Sequence, residues 1–149
     1  MSLIDKISES IKIAMREKDS IKLESLRAIK SSLLLSLTEK GKQGEISQSE
    51  EIKILQKLVK QRKDSAEIYK TQHRNELAEL EIKQSIFIEE FLPDQISEDE
   101  LKKIIQSIIN QIGASGMKDM GKVMGIASKQ LLGKADGKTI SSMVKNLLN

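Results

Sequence analysis

The 149-residue chain has no cysteine, no tryptophan, one proline, one histidine and only three aromatic side chains, Tyr69, Phe87 and Phe91. Without cysteine there are no disulfides, no thiolate zinc site and no thiol nucleophile, a usage that suits a cytoplasmic protein. Catalytic triads and His-based metal sites need an imidazole placed beside partners, and a single histidine, His73 in a highly charged stretch, cannot supply a cluster. The scarcity of rings argues against RNA-binding modules that stack bases on aromatic platforms. No apolar run approaches the roughly 20 residues a membrane span needs. At the amino terminus, Asp5 and Glu9 stand where a signal peptide would be basic and then uninterruptedly apolar. The expectation is a cytoplasmic protein with no membrane association, no metal, no cofactor and no catalytic residues of its own.

What the chain has instead is aliphatic. Leu, Ile, Val and Phe supply 43 of 149 residues, enough for a core and well above the roughly 20% below which chains tend to be disordered. Their spacing is helical almost throughout and nowhere alternates convincingly, so the fold class expected is all-α. Ser2 with Asp5, Ser47 with Glu50 and Ser97 with Glu100 each read as a capping box, in which a serine hydroxyl and an acid three residues on satisfy each other's backbone amides. The first helix presents Leu3, Ile4, Ile7, Ile11, Ala14 and Met15 inward. A break at Lys18, Asp19 and Ser20 starts a second, with Ile21, Leu23, Leu26, Ile29, Leu33 and Leu37, ending near Gly41. Gly41 to Ser47 reads as a loop. A third helix runs to about Thr71 on Ile52, Leu55, Leu58, Val59, Ala66 and Tyr69. A fourth runs to Leu92 on Leu77, Leu80, Ile86 or Phe87, and Phe91.

Pro93 stops that pattern, because it lacks an amide hydrogen and disfavours helix at the residue before it. The division expected is an N-terminal bundle of about four helices over residues 1–92, a hinge at 93–97, and a small three-helix domain over 98–149. In the latter, Leu101, Ile104, Ile105, Ile108, Ile109 and Ile112 make a strong stripe ending at Gly113. Helices of about Met117 to Leu132 and about Asp136 to Leu148 follow, with Gly133 as a stop and Asp136 as an N-cap. Charge divides too. Residues 1–100 carry 17 basic and 20 acidic side chains, whereas 101–149 carry 8 lysines and 2 aspartates. A basic tail of this kind is the footprint of an anionic partner, most often nucleic acid.

The candidate site lies in that tail. In MKDMGKVMG, residues 117–125, Gly121 and Gly125 are four apart and so share a helix face, where a missing side chain lets another backbone approach. Lys118, Lys122, Lys129, Lys134 and Lys138 surround them, with Gly133 and Gly137 in GKADGK, residues 133–138. Lys138 falls in the first turn of the last helix, where free amides and the dipole also favour an anion. The competing account is close packing by the glycines, core positions for Met117, Met120, Met124 and Met143, and a solvated lysine face. GKADGK is not a phosphate-binding P-loop, lacking its glycine spacing and preceding strand. KQRKDS, residues 60–65, reads as a solvated face or a second phosphate contact, and His73 as an exposed turn residue. The adjacent pairs Glu50–Glu51 and Glu89–Glu90 diverge on a helix and do not make an acid–base pair.

Taken in order, KQRKDS, EFLPDQISEDEL (90–101), MKDMGKVMG and LLGKADGKTISSMVKNLL (131–148) resemble the GatB/YqeY family, and the likeness to its stand-alone YqeY-like members covers essentially the whole chain. The resemblance implies a two-part helical fold related to the C-terminal tail of the B subunit of aspartyl/glutamyl-tRNA amidotransferase, which helps to hold tRNA. It also carries a label of carbon–nitrogen ligase with glutamine as amido-N donor, but the kinase-like catalytic domain of that subunit has no counterpart among these residues. The expected partner is therefore tRNA, with an amidotransferase or other translation-related protein as a further one. The family glycines and lysines fall on Gly121, Lys122, Gly125, Gly133, Lys134, Gly137 and Lys138. Three functions are ranked in order: a non-catalytic tRNA-binding module, a helical protein-interaction adaptor, and the ligase of the family label.

Overall fold

A computed structural model describes residues 2–39, 41 and 45–149, and the loop expected from Gly41 to Ser47 lies partly outside them. The fold is all-α. Among the described residues the helices are α1 (Leu3–Glu17), α2 (Ser20–Glu39), α3 (Gln48–Thr71), α4 (Asn75–Glu89), α5 (Glu98–Ile112), α6 (Met120–Gln130) and α7 (Gly137–Leu148), with a 3-10 turn at Met117–Asp119.

Caps set most of the helix starts. Ser2 and Ser47 make complete boxes with Asp5 and Glu50. At Ser97 only half of the box forms: its hydroxyl accepts from the Glu100 amide at 3.2 Å, while the reciprocal bond is missing. Asp19 plays the same part for α2, its carboxylate accepting from the Lys22 amide at 3.1 Å. Two ends differ from expectation. The fourth helix stops at Glu89, three residues short of Leu92, because Pro93 offers no amide and the last residues close in tight turns, Phe91 N–H donating to the Ile88 carbonyl. The helix expected from Met117 to Leu132 is shorter and starts with the 3-10 turn, which is anchored by the Asp119 carboxylate accepting from the Ser115 amide at 2.8 Å.

The chain divides into two compact units, Met1–Leu92 and Pro93–Asn149. In the first, Ile7 and Ala14 of α1, Leu26, Ile29 and Leu33 of α2, Leu55, Leu58 and Val59 of α3 and Ile88 of α4 form one buried cluster. Ala66 and Ala78 are also buried but lie outside that cluster, where small side chains let α3 and α4 close on each other as a hairpin. The stripe expected on α4 is met only at its end, where Phe91 packs on the core and Phe87 is half-buried; Leu77, Leu80 and Ile86 are exposed, and Ala78, Ser85 and Ile88 are buried instead. Met15 is exposed as well.

In the second unit, Leu101, Ile105, Ile108 and Ile109 of α5 bury against Val123 and Ala127 of α6, Leu131, Ala135, and Ile140, Val144 and Leu148 of α7. Ile112 ends the stripe partly exposed. Gly113 caps α5 in the left-handed region at φ 65°, a conformation that is cheap only without a Cβ. The segment before α5 is bonded to this unit: the Gln95 side-chain Nε2 donates to the Gly133 carbonyl at 2.7 Å, and the Ile96 N–H donates to the Lys134 carbonyl at 2.9 Å.

Candidate nucleic-acid interface

Helix α6 has one apolar side and one open side. Val123 and Ala127 are buried and Met120 and Met124 pack partly on the core, which turns the opposite side of the helix to solvent. At about 3.6 residues per turn, Gly121, Gly125, Lys129 and Lys122 fall within an arc of about 100° on that side. All four are exposed. A Cβ placed on Gly121 or Gly125 would meet nothing within 4 Å. Among the described residues, then, neither glycine is a close-packing position. Each costs the helix about 0.5–1 kcal/mol relative to alanine without any internal packing that needs it. Met117, expected among core positions, is exposed on the 3-10 turn beside Lys118.

The remaining candidates occupy other positions in the same unit. Gly133 is buried with φ 80°, and its carbonyl is held by Gln95, so it shapes the turn into α7. The helix stop is Leu131, two residues before it. Lys134 follows with its side chain exposed and its carbonyl committed to Ile96. Asp136 caps α7 by accepting from the Thr139 amide at 2.6 Å, which makes Gly137 and Lys138 the first helical residues. That carboxylate already takes an amide that an anion would otherwise use at this end of the helix.

Lys138 is not isolated among cations. It lines a groove of about 370 Å³ together with Glu98, Thr139, Ser142, Met143 and Asn146, so an acid stands across from it. Lys145, seven residues further on, shares the solvent side of α7 to within about 20°; the sequence reading missed it, although the i,i+7 spacing signals it.

The unit boundary also changes the charge count. Asp94, Glu98, Asp99 and Glu100 belong with the lysines, so Pro93–Asn149 carries eight lysines against six acids, a net +2 rather than +6. The positive charge is a local property of the α6 side and of α7, while the first turn of α5 is acidic.

Among the described residues no three or more His, Asp or Glu side chains converge as metal ligands would. His73 sits exposed in the α3–α4 turn with φ 58°. KQRKDS is on α3, where Lys63 pairs with Glu89 of α4 at 2.9 Å and Lys60 is exposed. No helix, among the described residues, is long and apolar enough to cross a membrane.

The model of the Yqey-like protein family matches residues 4–148. The chain belongs to that family. It is 31% identical over 132 residues to altered inheritance of mitochondria protein 41, mitochondrial, of Clavispora lusitaniae, a match covering 87% of this chain and 74% of the relative. It is 43% identical over 54 residues to the E subunit of glutamyl-tRNA(Gln) amidotransferase of Thermococcus gammatolerans, covering 34% of this chain and 9% of the relative. The corresponding protein of Methanococcus maripaludis is 44% identical over 57 residues, again 9% of its length. The likeness to the amidotransferase proteins is thus confined to a small part of them.

Proposed function

We propose that this YqeY-like chain is a non-catalytic tRNA-binding module of the cytoplasm, gripping the RNA backbone with the solvent side of α6. The observation that carries the reading is the pair of open, mid-helix glycines, Gly121 and Gly125, flanked by Lys122 and Lys129. They lower helix stability and, among the described residues, pack against nothing, which an approaching sugar–phosphate backbone would explain: glycine admits it and lysine neutralises it. Recognition would be by shape, since no aromatic platform is available for bases. The names of the two amidotransferase relatives place the related segment in enzymes acting on glutamyl-tRNA(Gln), which supports tRNA as the ligand and a translation-related protein as a further partner. The ligase chemistry of the resembled enzyme is ranked last, because the sequence supplies no thiol and, among the described residues, no three or more His, Asp or Glu side chains gather as metal ligands would.

Fluorescence anisotropy with labelled tRNA tests this. With about three or four phosphates contacted, log K should fall with log salt at a slope of roughly −2 to −4. Lys122→Glu with Lys129→Glu should abolish most of the binding. Absence of binding at low salt, or an unchanged affinity in that double variant, would falsify the proposal.

The adaptor reading is favoured by one observation, Ile126, which is 41% exposed on α6 near the lysine row and offers apolar surface that RNA does not need. A partner recovered equally before and after nuclease treatment, and lost in Ile126→Glu, would decide for it.

A further inference from the structure

The α3–α4 hairpin forms a groove that the first unit fills only in part. In its lower portion α2 lies against both helices, with Leu26, Ile29 and Leu33 buried among Leu55, Leu58 and Ile88. Two residues nearer the start of α2 than Leu26, Glu24 reaches an open depression of about 570 Å³ lined by Gln61, Arg62, Asp64, Ser65 and Ile68 of α3 and by Glu81 and Gln84 of α4. From there toward the turn at His73 the two helices bear apolar side chains that stay partly exposed. Ile68 is 57% exposed, Leu77 39% and Leu80 41%. Leu80 and Leu77 stand four and seven residues before Gln84, so they continue its row along the same side of α4 to within about 40°.

The depression has a charge signature. Glu24, Asp64 and Glu81 against Arg62 give it a net −2, and among the described residues none of the three carboxylates makes an ion pair. Arg62 donates only a long 3.5 Å bond from Nη1 to the Leu58 carbonyl, and its Nε is buried with no hydrogen-bond partner among the described residues. The region therefore combines an apolar row with a surplus of unpaired carboxylates.

We propose that this open end of the hairpin groove receives an amphipathic helix of a partner protein, apolar on the side facing Ile68, Leu77 and Leu80 and flanked by lysine or arginine facing Glu24, Asp64 and Glu81. α2 shows the pattern of such an occupant: Leu26, Ile29 and Leu33, at spacings of three and four, fill the lower groove, and Lys22 sets its ammonium 5.9 Å from the centre of the Phe87 ring. The acidic rim selects for a cation-bearing helix and against nucleic acid. This site is separate from the α6 lysines, so the two proposals stand or fall independently.

The test uses the 149-residue protein, labelled with 15N, and two synthetic helical peptides of about 18 residues. Both carry the Leu, Ile, Leu spacing of Leu26, Ile29 and Leu33; one is flanked by lysines, the other by glutamates. The lysine peptide should shift the amides of Ser65, Ile68, Leu77 and Glu81 and bind at least tenfold more tightly than the glutamate peptide. Ile68→Glu and Glu81→Lys, both on solvated positions that leave the core intact, should each weaken it about tenfold. Equal binding of the two peptides, or shifts confined to other residues, would overturn the proposal. So would tRNA shifting these four amides, or concentration-dependent shifts without peptide, which would make the occupant an RNA or a second copy of the chain.

Discussion

Single residues set where the helices begin and end, and several are measurable one at a time. Lys18 caps α1 in the left-handed region at φ 57°, where its Cβ crowds the backbone. Lys18→Gly should therefore raise stability by about 1 kcal/mol, visible as a higher melting temperature. Ser47→Ala removes the hydroxyl that accepts from the Glu50 amide at 3.2 Å and should cost about 1 kcal/mol in a denaturant titration. The cap of α1 titrates. The Ser2 hydroxyl donates to the Asp5 carboxylate at 2.8 Å and the Ser2 backbone amide at 3.3 Å, and these bonds hold the Asp5 pKa below its ordinary 3.8. A lowered folded value means that the stabilisation is complete above the unfolded pKa and is lost as pH falls through the lowered one. Amide exchange at the first turn of α1 should accordingly accelerate only in acid, below about pH 4, and the acceleration should vanish in Asp5→Asn.

At the scale of elements, α6 is the helix whose composition conflicts most with its own stability. Gly121→Ala and Gly125→Ala meet no neighbour within 4 Å, so each should stabilise the helix by about 0.5–1 kcal/mol. If the open side accepts an RNA backbone, the same changes should weaken tRNA binding, and stability rising while affinity falls is an outcome that simple unfolding cannot imitate. The start of α6 was harder to read than its face. Met117 to Asp119 have helical spacing, yet the bond from Ser115 N–H to the Asp119 carboxylate tightens that turn to 3-10 geometry. The α4 stripe was misplaced for a related reason. Leu77 and Leu80 have the spacing of a core face, but the seam with α3 takes Ala78, and the larger side chains are left outside.

For the whole molecule, two units mean two cores. Ile105→Ala deletes a fully buried side chain of the second and should destabilise it by about 2–5 kcal/mol, read from amide exchange in α5, α6 and α7. Charge belongs at this scale as well. A division at residue 100 separates −3 from +6, but Pro93–Asn149 is the folded unit, and its acidic first turn at Glu98, Asp99 and Glu100 leaves +2. Any anion-binding surface must then be local, held by Lys122 and Lys129 on α6 rather than by a general positive field.

The all-α class, the helix starts at Ser2, Ser47 and Asp136, and the inward stripes of α2, α3 and α5 were determined by the sequence, because capping chemistry and a repeat near 3.6 residues act within a few positions of each other. Which glycines pack and which stay open, which acid faces Lys138, and where the α3–α4 groove is left unfilled depend on residues far apart in the chain. Only the tertiary structure decided those, since close approach and burial are set by what another helix brings to the same place, and no local spacing records that.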